Sequence, residues 1–145
     1  MKQILGRLNL HELDQPISQL SGGQLKRLAL AHCLIEEPDL LLLDEPTAFL
    51  DLNHQIELCE LISRLRDERQ LTVVLVSHDL NLASQYCGRI LLLDHGRVVR
   101  LGSPDDVIEP EVLAEVYGCR VLVDRHPESG LPRVTVPRRS VRSGN

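Results

Sequence analysis

At 145 residues the chain is long enough for one domain with a real core, and an apolar content of 43% supplies material for it. A net charge of −5 and an aromatic content of only 2% argue against the basic field and flat stacking surfaces with which proteins hold nucleic acid. No apolar run approaches the roughly 18–20 residues that span a bilayer, and the N-terminal stretch does not read as a secretory signal.

In chain order, Gln24 to Ile35 reads as a helix, with Leu25, Leu28, Ala29 and Leu34 on its inner side and Lys26 and Arg27 outside. Pro38 stops it, because proline cannot continue a helix. Leu40 to Leu43 is a continuous apolar run, as expected of a strand covered on both faces. Asp51 or Asn53 can cap the next helix, which runs to about Glu68 with Leu52, Ile56, Cys59, Ile62 and Leu65 facing the core. Thr72 to Ser77, rich in β-branched residues, is a second buried strand, and a helix follows around Leu80 to Tyr86. Arg89 to Gly102 has the pattern of a hairpin turning at His95-Gly96. Ser103 caps a short helix with Pro104 at its first position, and Glu109 to Gly118 forms another, stopped by its glycine.

Two buried strands joined through a helix make a βαβ unit, so the fold class is α/β, with a parallel sheet and flanking helices. The cysteines (Cys33, Cys59, Cys87, Cys119) are widely spaced and form no CxxC pair; buried free thiols in the reducing cytosol are the expectation.

Three short motifs carry chemistry. In "LSGGQ", Leu20 to Gln24, Ser21 and Gln24 have the spacing of a capping box. That leaves Gly22 and Gly23 unexplained, since each costs about 1 kcal/mol against alanine in a helix. Glycines at a helix start let an anion approach bare N–H groups. In "LLLLDEP" an apolar strand delivers Asp44 at its C-terminal end, where α/β sheets bind ligands. Asp44 suits a Mg²⁺ held through water, and Glu45 suits a base that deprotonates an attacking water. Each also has a plainer reading, an acidic exit from a strand. In "VSHD", His78 ends the second strand, on the same edge as Asp44 if the strands are parallel. A lone histidine there can be a satisfied loop residue or a donor to a phosphate oxygen.

The order "LSGGQ", helix, "LLLLDEPTAFLD", "VSHD" resembles the ATP-binding cassette (ABC) ATPases, in which these are the signature motif, Walker B with the D-loop, and the switch histidine. The stretches "LDLNHQIELCELI", "HDLNLA", "GRVVRLGSPDDVI", "LAEVYG" and "HPESGLPRVTVP" look like the importers of ferric siderophores, haem and cobalamin. The resemblance runs from about Leu8 to Pro137 and matches the C-terminal half of a cassette. The phosphate loop ending in Gly-Lys-Ser/Thr, the adenine-stacking aromatic and the glutamine loop have no counterpart in the sequence.

The resemblance implies a partial P-loop fold in three parts: a remnant of the helical signature subdomain (1–36), a C-terminal ATPase core with a β-hairpin (37–137) and a basic tail (138–145). It implies ATP and Mg²⁺ as cofactors. Glu45 and His78 are the catalytic pair, and Asp44 serves the metal through water. Ser21, Gly22, Gly23, Gln24 and Asp51 contact nucleotide. The implied partners are a second cassette arranged head to tail, transmembrane permease subunits and, indirectly, a periplasmic or surface substrate-binding protein, with no nucleic acid. The implied place is the cytoplasmic side of the plasma membrane. Without a phosphate loop, these residues alone are expected to be catalytically inactive. The alternatives are a half-cassette that lends its signature motif to an intact partner, and a soluble cassette ATPase outside transport.

Overall fold

The computed structural model describes Gly6, Leu8 and residues 16–137, so the expected basic tail at 138–145 lies outside the described residues. Packing divides the chain into two units, Met1–His78 and Asp79–Asn145.

The first unit contains a 3₁₀ turn at Ile17–Gln19 and then α1 (Gly22–Ile35), β1 (Leu40–Asp44), α2 (Leu52–Arg69) and β2 (Thr72–Val76). Pro38 sits in the break after α1, as its missing N–H requires. Asp51 caps α2, accepting from the His54 amide, and Gln70 ends it in the left-handed conformation. β1 and β2 pair in parallel, Leu40 opposite Thr72 through Asp44 opposite Val76, with α2 in the crossover.

The core of this unit gathers Leu30, Ala31 and Leu34 of α1, Leu58, Leu61 and Leu65 of α2, and Leu41 of β1, together with Leu8 and Leu71. Leu34 is fully enclosed, so its truncation to alanine costs about 2–5 kcal/mol.

Three expectations are corrected here. The inner stripe of α1 is Arg27, Leu30, Ala31 and Leu34; Leu25 and Ala29 are exposed and Leu28 is only partly covered. Arg27 turns inward because it has an ion partner, Glu57 of α2, and only 14% of its side chain remains accessible. On α2 the buried residues are Leu58, Cys59, Leu61 and Leu65, whereas Leu52 and Ile56 face outward. The strands, expected to be covered on both faces, are packed on one. Leu41, Leu43 and Val73 meet the helices, while Leu40, Leu42, Val74 and Val76 stand exposed on the other face. Side chains alternate along a strand, so the apolar run supplies both faces although the helices of this unit cover only one.

The second unit contains α3 (Leu80–Tyr86), β3 (Ile90–Asp94), β4 (Arg97–Gly102), α4 (Pro104–Val107), α5 (Pro110–Tyr117), β5 (Leu122–Arg125) and β6 (Pro132–Thr135). β3 and β4 form the expected antiparallel hairpin, and His95 and Gly96 both adopt positive φ (46° and 75°), as a tight two-residue turn demands. Ser103 and Asp106 form a capping box on α4, and Gly118 ends α5 at φ 62°.

The second antiparallel hairpin, β5–β6, has no counterpart in the expected elements. Its strands are four residues each and carry a charged cross-strand pair, Arg133 to Asp124, with both hydrogen bonds at 2.8 Å. α3 is fastened to β6: Asn81 exchanges two hydrogen bonds with the Val134 backbone (3.1 and 2.7 Å), and the buried Ser84 hydroxyl donates to the Pro132 carbonyl at 2.6 Å. Ile90, Leu92, Val107, Ile108, Leu113 and Val121 make the core of this unit.

None of the four cysteines forms a disulfide; Cys59 is buried, Cys87 and Cys119 are half-buried and Cys33 is exposed, so burial holds fully for one of them only.

Candidate active site

The parallel pairing of β1 with β2 puts Asp44 and the residues after Val76 at one sheet edge, the C-terminal one. Glu45 extends the ladder by one step, its amide donating to the Val76 carbonyl at 2.9 Å. The chain then turns sharply. Glu45 has φ 43° and Phe49 φ 64°, left-handed conformations that cost a non-glycine residue about 1–3 kcal/mol each. Strain of this kind concentrates where a side chain must be aimed rather than packed.

What is aimed is the Glu45 carboxylate. Its Oε1 lies 2.8 Å from His78 Nδ1. Its Oε2 is buried without a hydrogen-bond partner among the described residues. A buried acceptor left open costs about 1–3 kcal/mol, so retaining it fits a group kept for chemistry. The His78 side chain is 82% accessible, with Nδ1 set against Glu45. Both ring nitrogens donate only in the imidazolium form, which is therefore the form able to hold Glu45 and an external oxygen at once.

Asp44 is exposed at the strand end. Among the described residues no cluster of three or more His, Cys, Asp or Glu could cage a metal. A single exposed carboxylate fits Mg²⁺, which keeps several waters and shares its shell with phosphate oxygens.

At the start of α1 the capping box is formed: the Gln24 amide donates to Ser21 Oγ at 3.2 Å, and the Ser21 amide donates to Gln24 Oε1 at 2.8 Å. This leaves the Gly22 and Gly23 amides as first-turn donors with no intrahelical partner. The glycines also have neighbours inside the chain. A Cβ on Gly23 would lie 3.1 Å from His54 Cδ2, and one on Gly22 would lie 3.8 Å from Leu50 Cδ2. Gly23 is therefore small for an intramolecular reason as well. His54 is held in place by Asp51, both carboxylate oxygens lying 2.8 Å from its Nδ1. Those bonds, with the His54 amide first among them, draw the Asp51 carboxyl below the usual aspartate range.

Three residues of this region escape a reading of the sequence alone. Lys26 Nζ donates to the Glu45 carbonyl at 3.0 Å, and burial lowers the lysine from its ordinary value while the negative charge of Glu45 pushes back. Arg27 pairs with Glu57, which also accepts from Asn53 Nδ2 at 2.8 Å. His54 seats against Gly23. Only Arg27 had a signal: its spacing to Leu30, Ala31 and Leu34 is that of one helical face.

The family profile described as ABC transporter matches residues 1–48. The ferric enterobactin transport ATP-binding protein of Escherichia coli is 40% identical over 124 residues, covering 86% of this chain and 46% of that protein. The hemin import ATP-binding protein of Rhodococcus jostii is 47% identical over 129 residues, covering 89% and 44% respectively. Among solved structures, an inward-facing conformation of a putative metal-chelate type ABC transporter superposes with a TM-score of 0.81 at 29% identity, covering 92% of this chain and 54% of that one. The chain spans about half the length of the curated relatives it matches. Over about half of their length, the chain is similar to the ATP-binding proteins of ABC transporters.

Proposed function

We propose that these residues are the signature and hydrolytic part of the ATPase subunit of an ABC importer that energises uptake of a ferric siderophore, haem or cobalamin. The observation that carries the hydrolytic assignment is the Glu45–His78 pair at the C-terminal edge of the β1–β2 ladder, directly after Asp44. The relatives' roles in ferric enterobactin, hemin and cobalamin transport support the choice of cargo class.

Bound ATP with Mg²⁺ supplies the phosphoanhydride and the charge that neutralises it. Asp44 would hold the ion through water. The Glu45 carboxylate takes a proton from water, with Oε2 free of any competing protein donor among the described residues. His78 orients Glu45 through Nδ1 and, as imidazolium, presents Nε2 to a phosphate oxygen. Ser21, Gly22, Gly23, Gln24 and Asp51 face nucleotide bound by a second, head-to-tail cassette. Transmembrane permease subunits complete the assembly at the cytoplasmic face of the membrane.

The test is MgATP turnover by a full-length cassette carrying this sequence. Glu45→Gln keeps the shape of the side chain and removes its basicity, so kcat falls by about 10²–10⁴-fold while nucleotide binding persists. Turnover equal to the parent's would remove Glu45 from the chemistry.

A further inference from the structure

We propose that Lys26 is a positioning residue: its ammonium grips the Glu45 carbonyl and locks the helix that begins at the signature motif to the loop that aims the Glu45 carboxylate. This rests on the reading of Glu45 as the base, and it adds a residue to which that reading gives no part.

The Glu45 carbonyl has two donors. The Ala48 amide reaches it at 3.1 Å and closes the turn from within, while Lys26 Nζ reaches it at 3.0 Å from a helix 19 residues earlier. The Glu45 amide is held to the ladder by the Val76 carbonyl, and the lysine adds a direct tie from its carbonyl to α1. An ammonium donating to a carbonyl is a charge-assisted bond, stronger than the neutral one beside it. Its acceptor belongs to a residue in the left-handed region, where the backbone has alternatives of lower energy, so a tether from outside holds the less favourable conformation.

Lys26 does not act alone on α1. The next residue, Arg27, is tied to Glu57 of α2, and one turn earlier Gly23 leaves the His54 ring the room that a Cβ would take. The N-terminal half of α1 is thus bonded to the segment 45–57 at two points, and among the described residues only the Lys26 bond joins α1 to the peptide of the candidate base. A displacement of the signature helix is thereby transmitted to Glu45 and, through Oε1, to His78. A nucleotide contact at Gly22 or Gly23 and the aim of Glu45 are then mechanically joined inside a single chain.

The test needs no nucleotide. In the 145-residue chain, heteronuclear NMR reads the carbonyl ¹³C of Glu45, the Ala48 amide and the His78 ring nitrogens. Lys26→Met keeps the aliphatic stem and deletes the donor; Lys26→Arg restores a cationic donor. The Met variant is expected to shift the Glu45 carbonyl, the Ala48 amide and the His78 Nδ1 signals together, with Leu30 and Leu34 methyls unmoved. The Arg variant is expected to return them toward parent values. Parent-like signals in the Met variant, or equal shifts in both variants, would overturn the proposal. Should the Met variant fail to fold, the parent chain still decides: slow hydrogen exchange of the Lys26 ammonium supports the bond, and exchange as fast as free lysine refutes it. The base assignment fails separately, through unchanged turnover in Glu45→Gln.

Discussion

Gly23 and His54 occupy one another's space: an added Cβ at residue 23 would come within 3.1 Å of the imidazole Cδ2, tighter than ordinary contact. The imidazole cannot retreat freely, because Asp51 binds its Nδ1 with both carboxylate oxygens. Glycine to alanine in a helix is worth about 1 kcal/mol of added stability on propensity alone. Gly23→Ala should therefore gain clearly less than that in the parent and recover the full gain in a His54→Ala background. Urea unfolding of the four chains of this double-mutant cycle measures the coupling, expected at about 0.5–1 kcal/mol. Strict additivity would mean that the glycine answers only to a ligand.

The capping box gives a second prediction. Ser21→Ala removes the acceptor for the Gln24 amide, so the first turn of α1 frays and stability falls by about 0.5–2 kcal/mol. Ser21→Asp, which keeps an acceptor at the cap, should lose little. The urea midpoint separates the two variants, and equal losses would contradict the cap.

For activity, the 145-residue chain alone should hydrolyse no MgATP above background, since its sequence has no Gly-Lys-Ser/Thr phosphate loop to position the nucleotide. In a full-length cassette carrying these residues, His78→Ala should lower kcat by about 10²–10³-fold with nucleotide binding retained. Turnover by the isolated chain that disappears in Glu45→Gln would contradict the first statement.

Acid should open the cross-strand pair of the β5–β6 hairpin. The Arg133 guanidinium, through its hydrogen bonds, holds the Asp124 carboxyl below its ordinary value of 3.8, and Asp124 raises Arg133 in return. A depressed aspartate contributes stability that is complete above the unfolded value and is lost as pH falls through the lower folded one. The cross-strand pair should thus be intact at pH 5 and fail below about pH 3.8. Amide exchange at Val123 and Val134 reads this, and Asp124→Asn should flatten the pH dependence there.

The sequence disclosed elements wherever local chemistry decides them. Pro38, the Ser21 and Ser103 caps, the His95-Gly96 turn and the Gly118 stop each act within a few residues, and each stands where expected. It also brought Asp44, Glu45 and His78 to one edge, because parallel pairing follows from two apolar strands around a helix. Arg27 was misplaced because its partner, Glu57, lies 30 residues away and periodicity assigns charges to the outside. Lys26 was missed for the same reason, its acceptor lying 19 residues away, and so was the seat of His54 beside Gly23. The β5–β6 hairpin went unread because Asp124, Arg125 and Arg133 break the apolar alternation that marks a strand, and here the charges themselves make a cross-strand pair.

Leu40, Leu42, Val74 and Val76 leave one side of the β1–β2 ladder bare, and that makes folding of this unit an equilibrium with its surroundings. Any binder that covers the folded face but not the unfolded chain adds RT ln(1 + [L]/Kd) to its stability, about 2.7 kcal/mol at a hundredfold excess over Kd. The melting temperature of the free chain should accordingly rise with protein concentration if copies cover each other, and with any apolar dye that occupies the face. Since β1 ends in Asp44 and leads into Glu45, whatever covers the strand also steadies the carboxylates at its tip.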